Sequence, residues 1–218
     1  MSVEEIIGFA TGALCVWLAV RQNVWTFPVG LANNAVYVVL FASSGLYAGA
    51  GLQIVYIVLG ALGWVWWVRG GPDGARLTVH RTPPWAWVAA AAAFAGVAAA
   101  LVWVLSTYTD SQAPGLDAVT TSLSLVAQLM LGRKWIGNWW VWIVADVIYV
   151  WLYVSSGLFL TAVLYAGFIV LCAIGLRDWR RELAAPAALV TPAPGAVDSP
   201  GVLESGGDAV DAEQQQVP

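Results

Sequence analysis

The sequence predicts an all-α membrane protein with seven transmembrane helices, built as two parallel three-helix repeats joined by a linker helix, a 3+1+3 arrangement. Composition is the first observation: 60% of the residues are hydrophobic, 10% are charged, and the mean hydropathy is +0.76. Too few polar side chains remain to cover a soluble domain. The other two observations are the number of apolar segments and an internal repeat.

Seven segments have the roughly 20 mostly apolar residues that a helix needs to cross a ~30 Å hydrocarbon core. The expected spans are 3–20, 24–44, 46–68, 85–108, 116–131, 135–155 and 157–176. The first span opens with Glu4 and Glu5 and has no basic region before it. Removal of this segment as a secretory signal is therefore not expected.

The internal repeat appears when the chain is shifted by 112 residues. Of the 33 positions from 37 to 69, 16 are identical to the residue 112 positions later, without a gap. Helices 1 and 5 are separated by three others, so both copies enter the membrane in the same direction. The expected units are a first repeat (1–69), a linker with helix 4 (70–115), a second repeat (116–181) and a disordered acidic tail (182–218).

Charge predicts the orientation in the membrane, because basic residues favour the cytoplasmic side. With seven crossings, all nine bases fall in alternate connections: Arg21, Arg69, Arg76, Arg81, Arg133, Lys134, Arg177, Arg180 and Arg181. We therefore expect the N-terminus outside and the C-terminus in the cytoplasm. Five acids after Glu182 account for the net charge of −4, and the remaining +1 indicates no surface for nucleic acid.

One face of helix 6 combines aromatic residues with a carboxylate. Trp139, Trp142, Asp146, Tyr149 and Tyr153 follow steps of three and four, which align them along the helix. A carboxylate within a membrane helix is costly and indicates a functional site. Interhelical hydrogen bonding is the structural alternative for the acid, and an interfacial aromatic belt is the alternative for the tryptophans.

The first repeat carries a weaker polar set at matching positions. Asn34 aligns with Asp146 and Tyr37 with Tyr149, while Gln53 on helix 3 needs an amide partner away from lipid. These side chains either line a shared cavity or join two helices. Asn138 has the same two interpretations, and so does Gln128. Pro28 frees a carbonyl in helix 2 and is a candidate gate hinge, with a harmless kink as the alternative.

Several chemistries have no pattern in the sequence. No phosphate-binding loop, metal-ligand cluster or histidine-based nucleophile occurs, so no cofactor or metal is expected and the chain is not predicted to be an enzyme. Cys15 and Cys172 lie far apart in apolar segments, which favours buried thiols over a disulfide. His80, the single histidine, lies in a polar loop.

These residues resemble a known family. Asn138-Trp139-x-x-Trp142 with Asp146, preceded by Arg133-Lys134, is similar to the PnuC family of bacterial nicotinamide riboside transporters. So are Leu46-Tyr47-Ala48 with Leu52-Gln53 and Gly63-Trp64-x-x-Trp67. The resemblance extends over most of the chain from about Val3 to Arg181, apart from helix 4 and its loops.

The resemblance implies a SWEET-like fold in the bacterial inner membrane, a homotrimer, and uptake of nicotinamide riboside by facilitated diffusion. It also implies a separate cytosolic kinase that traps the riboside, and relatives carry thiamine or riboflavin. Trp139 and Trp142 would hold the pyridinium ring, and Asp146, Asn34 and Gln53 would bind the ribose and carboxamide. Proton coupling and a non-transporting scaffold subunit stay open as alternatives.

Overall fold

The computed structural model describes residues 3–108 and 114–185, with side chains from residue 10 onward. Seven α-helices follow one another in this part of the chain: α1 (Val3–Val20), α2 (Thr26–Ser43), α3 (Tyr47–Arg69), α4 (Pro84–Tyr108), α5 (Pro114–Gly132), α6 (Asn138–Ser155) and α7 (Phe159–Ala184). A single 3-10 turn, Pro72–Gly74, interrupts the connection between α3 and α4.

The predicted spans correspond to these helices, with one clear difference at the C-terminal end. Six helices, α2 to α7, are long and apolar enough to cross a membrane. In α1, the apolar part whose side chains are described is shorter, Ala10–Val20. Helix α7 continues to Ala184 instead of stopping near residue 176, so the expected tail boundary at 182 lies inside it. Apart from its first residues, the expected tail lies outside the described residues.

Six of the helices form a closed ring. Each helix contacts the next in the order α1, α2, α3, α5, α6 and α7, and α7 contacts α1 to close the ring. Helix α4 packs against α5 on the outside. Burial follows this arrangement: Ala86 is the buried residue of α4, while α5 buries much of its length, including Thr120, Ser122 and Ser124. Helix α5, which carries these buried hydroxyl side chains, is thus the candidate span most covered by its neighbours.

Local geometry recurs at the 112-residue spacing. Helix α2 begins at Thr26 and ends at Ser43, and adding 112 gives the first and last residues of α6. In the turns that follow these helices, Gly45 and Gly157 have φ values of 76° and 73°, which glycine adopts without steric cost. Gln22 and Lys134 have φ values of 53° and 51°, so the turns before α2 and α6 match as well.

Two tryptophan hydrogen bonds join helices α1 and α3 to helices α5 and α7 in matching ways. The Trp67 indole N–H donates to the Leu131 carbonyl at 3.0 Å, and the Trp179 indole N–H donates to the Val20 carbonyl at 3.3 Å. Trp67 and Trp179 are also related by 112 residues, and both are almost fully buried. Helix α3 is therefore anchored to the end of α5, and α7 is anchored to the end of α1.

Two aromatic rings next to Trp67 and Trp179 pack directly on glycine residues of α3 and α7. A Cβ on Gly63 would lie 2.7 Å from the Phe27 ring, and a Cβ on Gly175 would lie 2.6 Å from the Trp139 ring. Phe27 and Trp139 are again equivalent positions, and they meet Trp67 and Trp179 edge to face at 5.0 and 5.2 Å. Small residues thus allow close approach between the helices.

We predict that Gly175→Ala destabilises the protein by about 1–3 kcal/mol, because the new methyl group must displace the buried Trp139 ring. Gly167→Ala is the matched control on the same helix, since nothing lies within 4 Å of its Cβ position. Thermal unfolding in detergent measures both variants. Equal midpoints for the two variants would contradict the close contact.

Candidate functional site

A cavity of about 320 Å³ lies inside the six-helix ring. Each helix of the ring contributes to its wall, whereas α4 does not. The polar side chains that line it are Cys15, Thr26, Asn33, Asn34, Tyr56, Ser124, Gln128, Trp139, Trp142, Asp146, Tyr149, Tyr165 and Cys172. The rest of the lining is apolar or glycine, as in most small-molecule sites.

Asp146 is the acidic residue of the cavity, and its side chain is nearly fully buried at 5% exposure. The Cys172 thiol lies 3.8 Å from its Oδ2 atom and is its hydrogen-bond donor. Within the described part of the chain, no lysine or arginine forms a salt bridge with this carboxylate. A negative charge here is therefore poorly compensated by the protein.

The aromatic face of α6 points into the cavity around this carboxylate. Trp139, Trp142, Asp146 and Tyr149 all line it, as their spacing suggested. Trp139 is 1% exposed, and its indole Nε1 has no hydrogen-bond partner in the described residues. Buried donors are nearly always paired in native proteins. An acceptor from a bound molecule or water would satisfy this one.

Helix α2 adds a polar contribution from the first half. Asn34 lines the cavity, at the position equivalent to Asp146, and its neighbour Asn33 lines it too. The Thr11 hydroxyl lies 3.1 Å from the Asn33 Oδ1 atom, so α1 holds this side chain. Asn33 is not on the helix face chosen from the sequence. Its signal was only an amide inside an apolar segment.

Three expected binding residues do not line the cavity. Asn138 is fully buried, and its Nδ2 donates to the Trp135 carbonyl at 2.7 Å, so it stabilises the turn before α6. Tyr37 packs against Phe41 with ring centroids 5.5 Å apart. Gln53 is half-buried and also lies away from the lining. A role for these three in binding stays a prediction.

Pro28 lies in the first turn of α2, which begins at Thr26. The first N–H groups of a helix have no intrahelical partner, so proline removes no helix bond there. The Val24 carbonyl accepts from the Phe27 N–H at 3.1 Å. The unpaired carbonyl that suggested a hinge at Pro28 is therefore absent, because the helix starts later than expected.

Tyrosine rings collect at the side of the cavity toward the end of α6. Tyr149 and Tyr165 have ring centroids 4.7 Å apart, and Tyr153 lies 5.1 Å from Tyr165. Tyr165 and Phe168, which line the cavity from α7, could not be assigned from the sequence, because α7 shows no polar stripe. Of these tyrosines, Tyr149 and Tyr165 line the cavity, and Tyr153 packs against both rings.

A polar cluster closes the opposite end of the ring, and we call Gln22, Lys134 and Glu182 the basic-end cluster. The Lys134 Nζ atom donates to Gln22 Oε1 at 3.0 Å and lies 4.4 Å from the centre of the Trp67 ring. Gln22 Nε2 donates in turn to Glu182. Burial lowers the pKa of Lys134, and the nearby Glu182 carboxylate partly opposes this effect.

The basic-end cluster lies directly beyond the cavity. Ala19 and Leu131 belong to the cavity wall, and Gln22 and Lys134 follow each of them by three residues. Gln22 and Lys134 both have left-handed backbone conformations, which turn the chain across the helix ends. The connection before α4 adds backbone pairing, since the His80 N–H donates to the Lys134 carbonyl at 3.0 Å. Residues 3–108 and 114–185 hold no group of three potential metal ligands.

The chain is similar to known vitamin transporters. It is 24% identical to the nicotinamide riboside transporter PnuC of Escherichia coli over 204 residues, covering 82% of this chain and 85% of that protein. It is 29% identical to the riboflavin/roseoflavin transporter RibM of Streptomyces davaonensis over 181 residues, covering 81% and 84%. The crystal structure of the vitamin B3 transporter PnuC matches with a TM-score of 0.62 at 21% identity, covering 82% and 80%.

The family assignment rests on a family model that matches most of the chain. The model of the nicotinamide mononucleotide transporter family matches residues 2–181, which includes all seven helices up to the last turn of α7. The resemblance to PnuC transporters noted from the sequence is confirmed by this match and by the relatives. This multi-pass membrane protein belongs to the nicotinamide mononucleotide transporter family, and it is a membrane transporter of the PnuC type.

Proposed function

We propose that this protein imports nicotinamide riboside by facilitated diffusion, with the cavity as the binding site. The observation that carries the proposal is a buried carboxylate, Asp146, that has tryptophan rings beside it and no basic partner among the described residues. Such a site fits a flat, cationic, polar-edged molecule. We infer nicotinamide riboside in particular because the similar PnuC proteins are nicotinamide riboside transporters.

Charge favours the riboside over a neutral vitamin. Nicotinamide riboside carries a pyridinium cation, and a cation over a tryptophan face gains about 0.5–2 kcal/mol depending on desolvation. Asp146 would compensate the positive charge and accept hydrogen bonds from ribose hydroxyls. No lysine or arginine of the described residues is paired with Asp146, so the ligand itself would supply that compensation.

Polar groups around the rings fit the rest of the molecule. The unpaired Trp139 N–H would donate to a carboxamide or ribose oxygen, and the amides of Asn34 and Gln128 are available on neighbouring walls. Hydrogen-bonding groups that need a ligand discriminate strongly against molecules that lack the partner. Riboflavin is the second candidate, because RibM is similar to this chain at 29% identity. Thiamine, a cation, is the third.

We further infer that the ring consists of two parallel repeats, α1–α3 and α5–α7, with α4 as the linker. The matching helix bounds, turn dihedrals and reciprocal tryptophan bonds at 112-residue spacing support this. Transport would then proceed by alternating access, as one repeat rocks against the other around the cavity. The N-terminus would lie outside, and the basic-end cluster would face the cytoplasm.

The basic-end cluster is the proposed cytoplasmic gate. Gln22 belongs to the first repeat and Lys134 to the second, so their hydrogen bond crosses the interface along which the repeats would separate. A substrate that leaves the cavity toward this end must pass between them, because Ala19 and Leu131 lie on the cavity wall just before them. Opening would cost the Lys134–Gln22 bond and the Lys134–Trp67 contact.

A homotrimer and functional coupling to a cytosolic riboside kinase complete the proposal. Phosphorylation would add a charged group that the cavity, with its carboxylate, does not favour. The kinase would thereby keep the inward gradient of free riboside. The protein itself would need neither ATP nor an ion gradient.

A ligand screen tests the substrate assignment. Purified protein is heated with nicotinamide riboside, nicotinamide, riboflavin or thiamine, and we expect the riboside to raise the unfolding midpoint most, since a ligand that binds only the folded state stabilises it. Nicotinamide, which lacks the ribose and the positive charge, is the control. A midpoint raised by riboflavin or thiamine alone would overturn the assignment.

Flux through liposomes tests the mechanism. We expect labelled riboside to equilibrate without ATP and without a proton gradient. Acceleration by an imposed proton gradient would instead identify a symporter. Binding without any flux would indicate a membrane scaffold or receptor subunit.

A further inference from the structure

A second hollow lies on the outer surface of the bundle, between the start of α6 and the end of α7. It measures about 470 Å³ and is separate from the transport cavity, with which it shares no lining residue. Its floor is apolar, with Ile143 and Leu176 among its residues, and its rim carries Arg177, Arg180 and Arg181. We call it the arginine groove.

The chemistry of the arginine groove changes along its length. Leu176 is the last apolar residue before the arginines of α7, so the groove spans the boundary between the hydrocarbon region and the basic end of the bundle. Trp140 forms its other edge and is 47% exposed, a position typical of the membrane interface. Arg180 lies over the Trp140 ring, with its guanidinium carbon 5.5 Å from the ring centre.

The charge balance favours an anion. The groove lining holds three arginines and no acidic residue in the described part of the chain. Asp178, just outside it, forms an exposed salt bridge with Arg177 at 3.0 Å, and Glu182 is bonded to Gln22 instead. Arg180 and Arg181 therefore supply most of the positive charge available to a ligand.

We propose that the arginine groove binds one anionic phospholipid. Its phosphodiester headgroup contacts Arg180 and Arg181, which present several N–H donors to phosphate oxygens, and an acyl chain lies along Ile143 and Leu176. Basic pockets between helices on the cytoplasmic side of membrane proteins recognise anionic headgroups in this way. A free phosphate would use the arginines but leave the apolar floor exposed.

Retention of lipid by the full-length protein tests the proposal. Detergent-purified protein is mixed with phosphatidylglycerol or phosphatidylcholine, and bound lipid is counted by native mass spectrometry. We expect preferential retention of phosphatidylglycerol, reduced about tenfold in the Arg177→Gln/Arg180→Gln/Arg181→Gln variant. The control is Arg69→Gln/Arg76→Gln/Arg81→Gln, which removes three exposed arginines from the end of α3 and the connection after it, and the same total charge.

Further arms separate the other occupants. Inorganic phosphate and glycerol phosphate, added in excess, should not displace the lipid; displacement would overturn the lipid assignment in favour of a free phosphate site. Equal loss of lipid in both triple variants would reduce the effect to overall charge and overturn the proposal. If the Arg177→Gln/Arg180→Gln/Arg181→Gln variant changes its oligomeric state in light scattering but retains lipid as before, the lipid proposal is overturned and the groove is a contact between copies of the chain.

Discussion

Replacing Asp146 with Asn is expected to weaken binding of nicotinamide riboside by about 10- to 100-fold, because a hydrogen bond to a charged group contributes about 1.5–3 kcal/mol. Asn keeps the size of the side chain and can still accept from the Cys172 thiol, so the cavity shape is preserved. Calorimetric titration of the purified protein measures the change.

The same substitution should make the empty protein more stable. A buried carboxylate without a basic partner costs free energy, and a neutral amide removes that cost. Affinity and stability are therefore expected to change in opposite directions. Asp73→Asn is the matched control, since Asp73 is exposed in the α3–α4 connection and its φ of 53° also suits Asn.

A purely structural Asp146 would give a different pattern. In that case Asp146→Asn would lower the unfolding midpoint and leave affinity unchanged, which would contradict the proposed role. Riboflavin provides a further comparison because it is neutral. If the protein binds riboflavin, that binding should lose much less than binding of the cationic riboside.

Linking the two halves across the basic-end cluster is expected to stop transport almost completely. Gln22→Cys and Lys134→Cys would be joined by a short reagent that reacts with two thiols, in a background carrying Cys15→Ala and Cys172→Ser. Serine keeps a donor for Asp146. The hydrogen bond of 3.0 Å between the native side chains indicates that their tips meet in this conformation.

The controls separate gating from damage. Each single-cysteine variant, treated with the same reagent, should transport as the unlinked background does, and the linked protein should still bind riboside in the thermal assay. Linked protein that transports at the rate of the unlinked double variant would show that this end does not open during the cycle. Cleavage of a reducible linker should restore flux.

Helical periodicity predicted the cavity face of α6 well. Trp139, Trp142, Asp146 and Tyr149 share one side of the helix by spacing alone, and a polar residue among apolar ones indicates which side faces other helices. The position of Asn34 followed from the repeat. For these residues the sequence signal and the three-dimensional arrangement agree, because both depend on the 3.6-residue period.

Tyr37 shows where the two copies differ in packing. Tyr37 was expected beside the cavity because it aligns with Tyr149. Tyr149 packs against Tyr165 on α7, whereas the position equivalent to Tyr165 is Gln53, and Tyr37 turns to Phe41. Tyr149 and Tyr165 line the cavity as two adjacent rings, whereas the equivalent residues Tyr37 and Gln53 do not line it. The ring contact to the neighbouring helix therefore has an equivalent partner position, Gln53, that carries no ring.

The sequence by itself determined the membrane class, the helices and their equivalence at 112 residues, and the face of α6 that lines the cavity, since these depend on composition and period. Only the tertiary structure decided the closure of the ring through α3–α5 and α1–α7 contacts, the meeting of Gln22 with Lys134, and the arginine groove. Helices that are apolar on nearly every side carry little information about which neighbour each side meets. That choice depends on close fitting between particular side chains, such as Trp139 against Gly175, which appears only when the helices are packed.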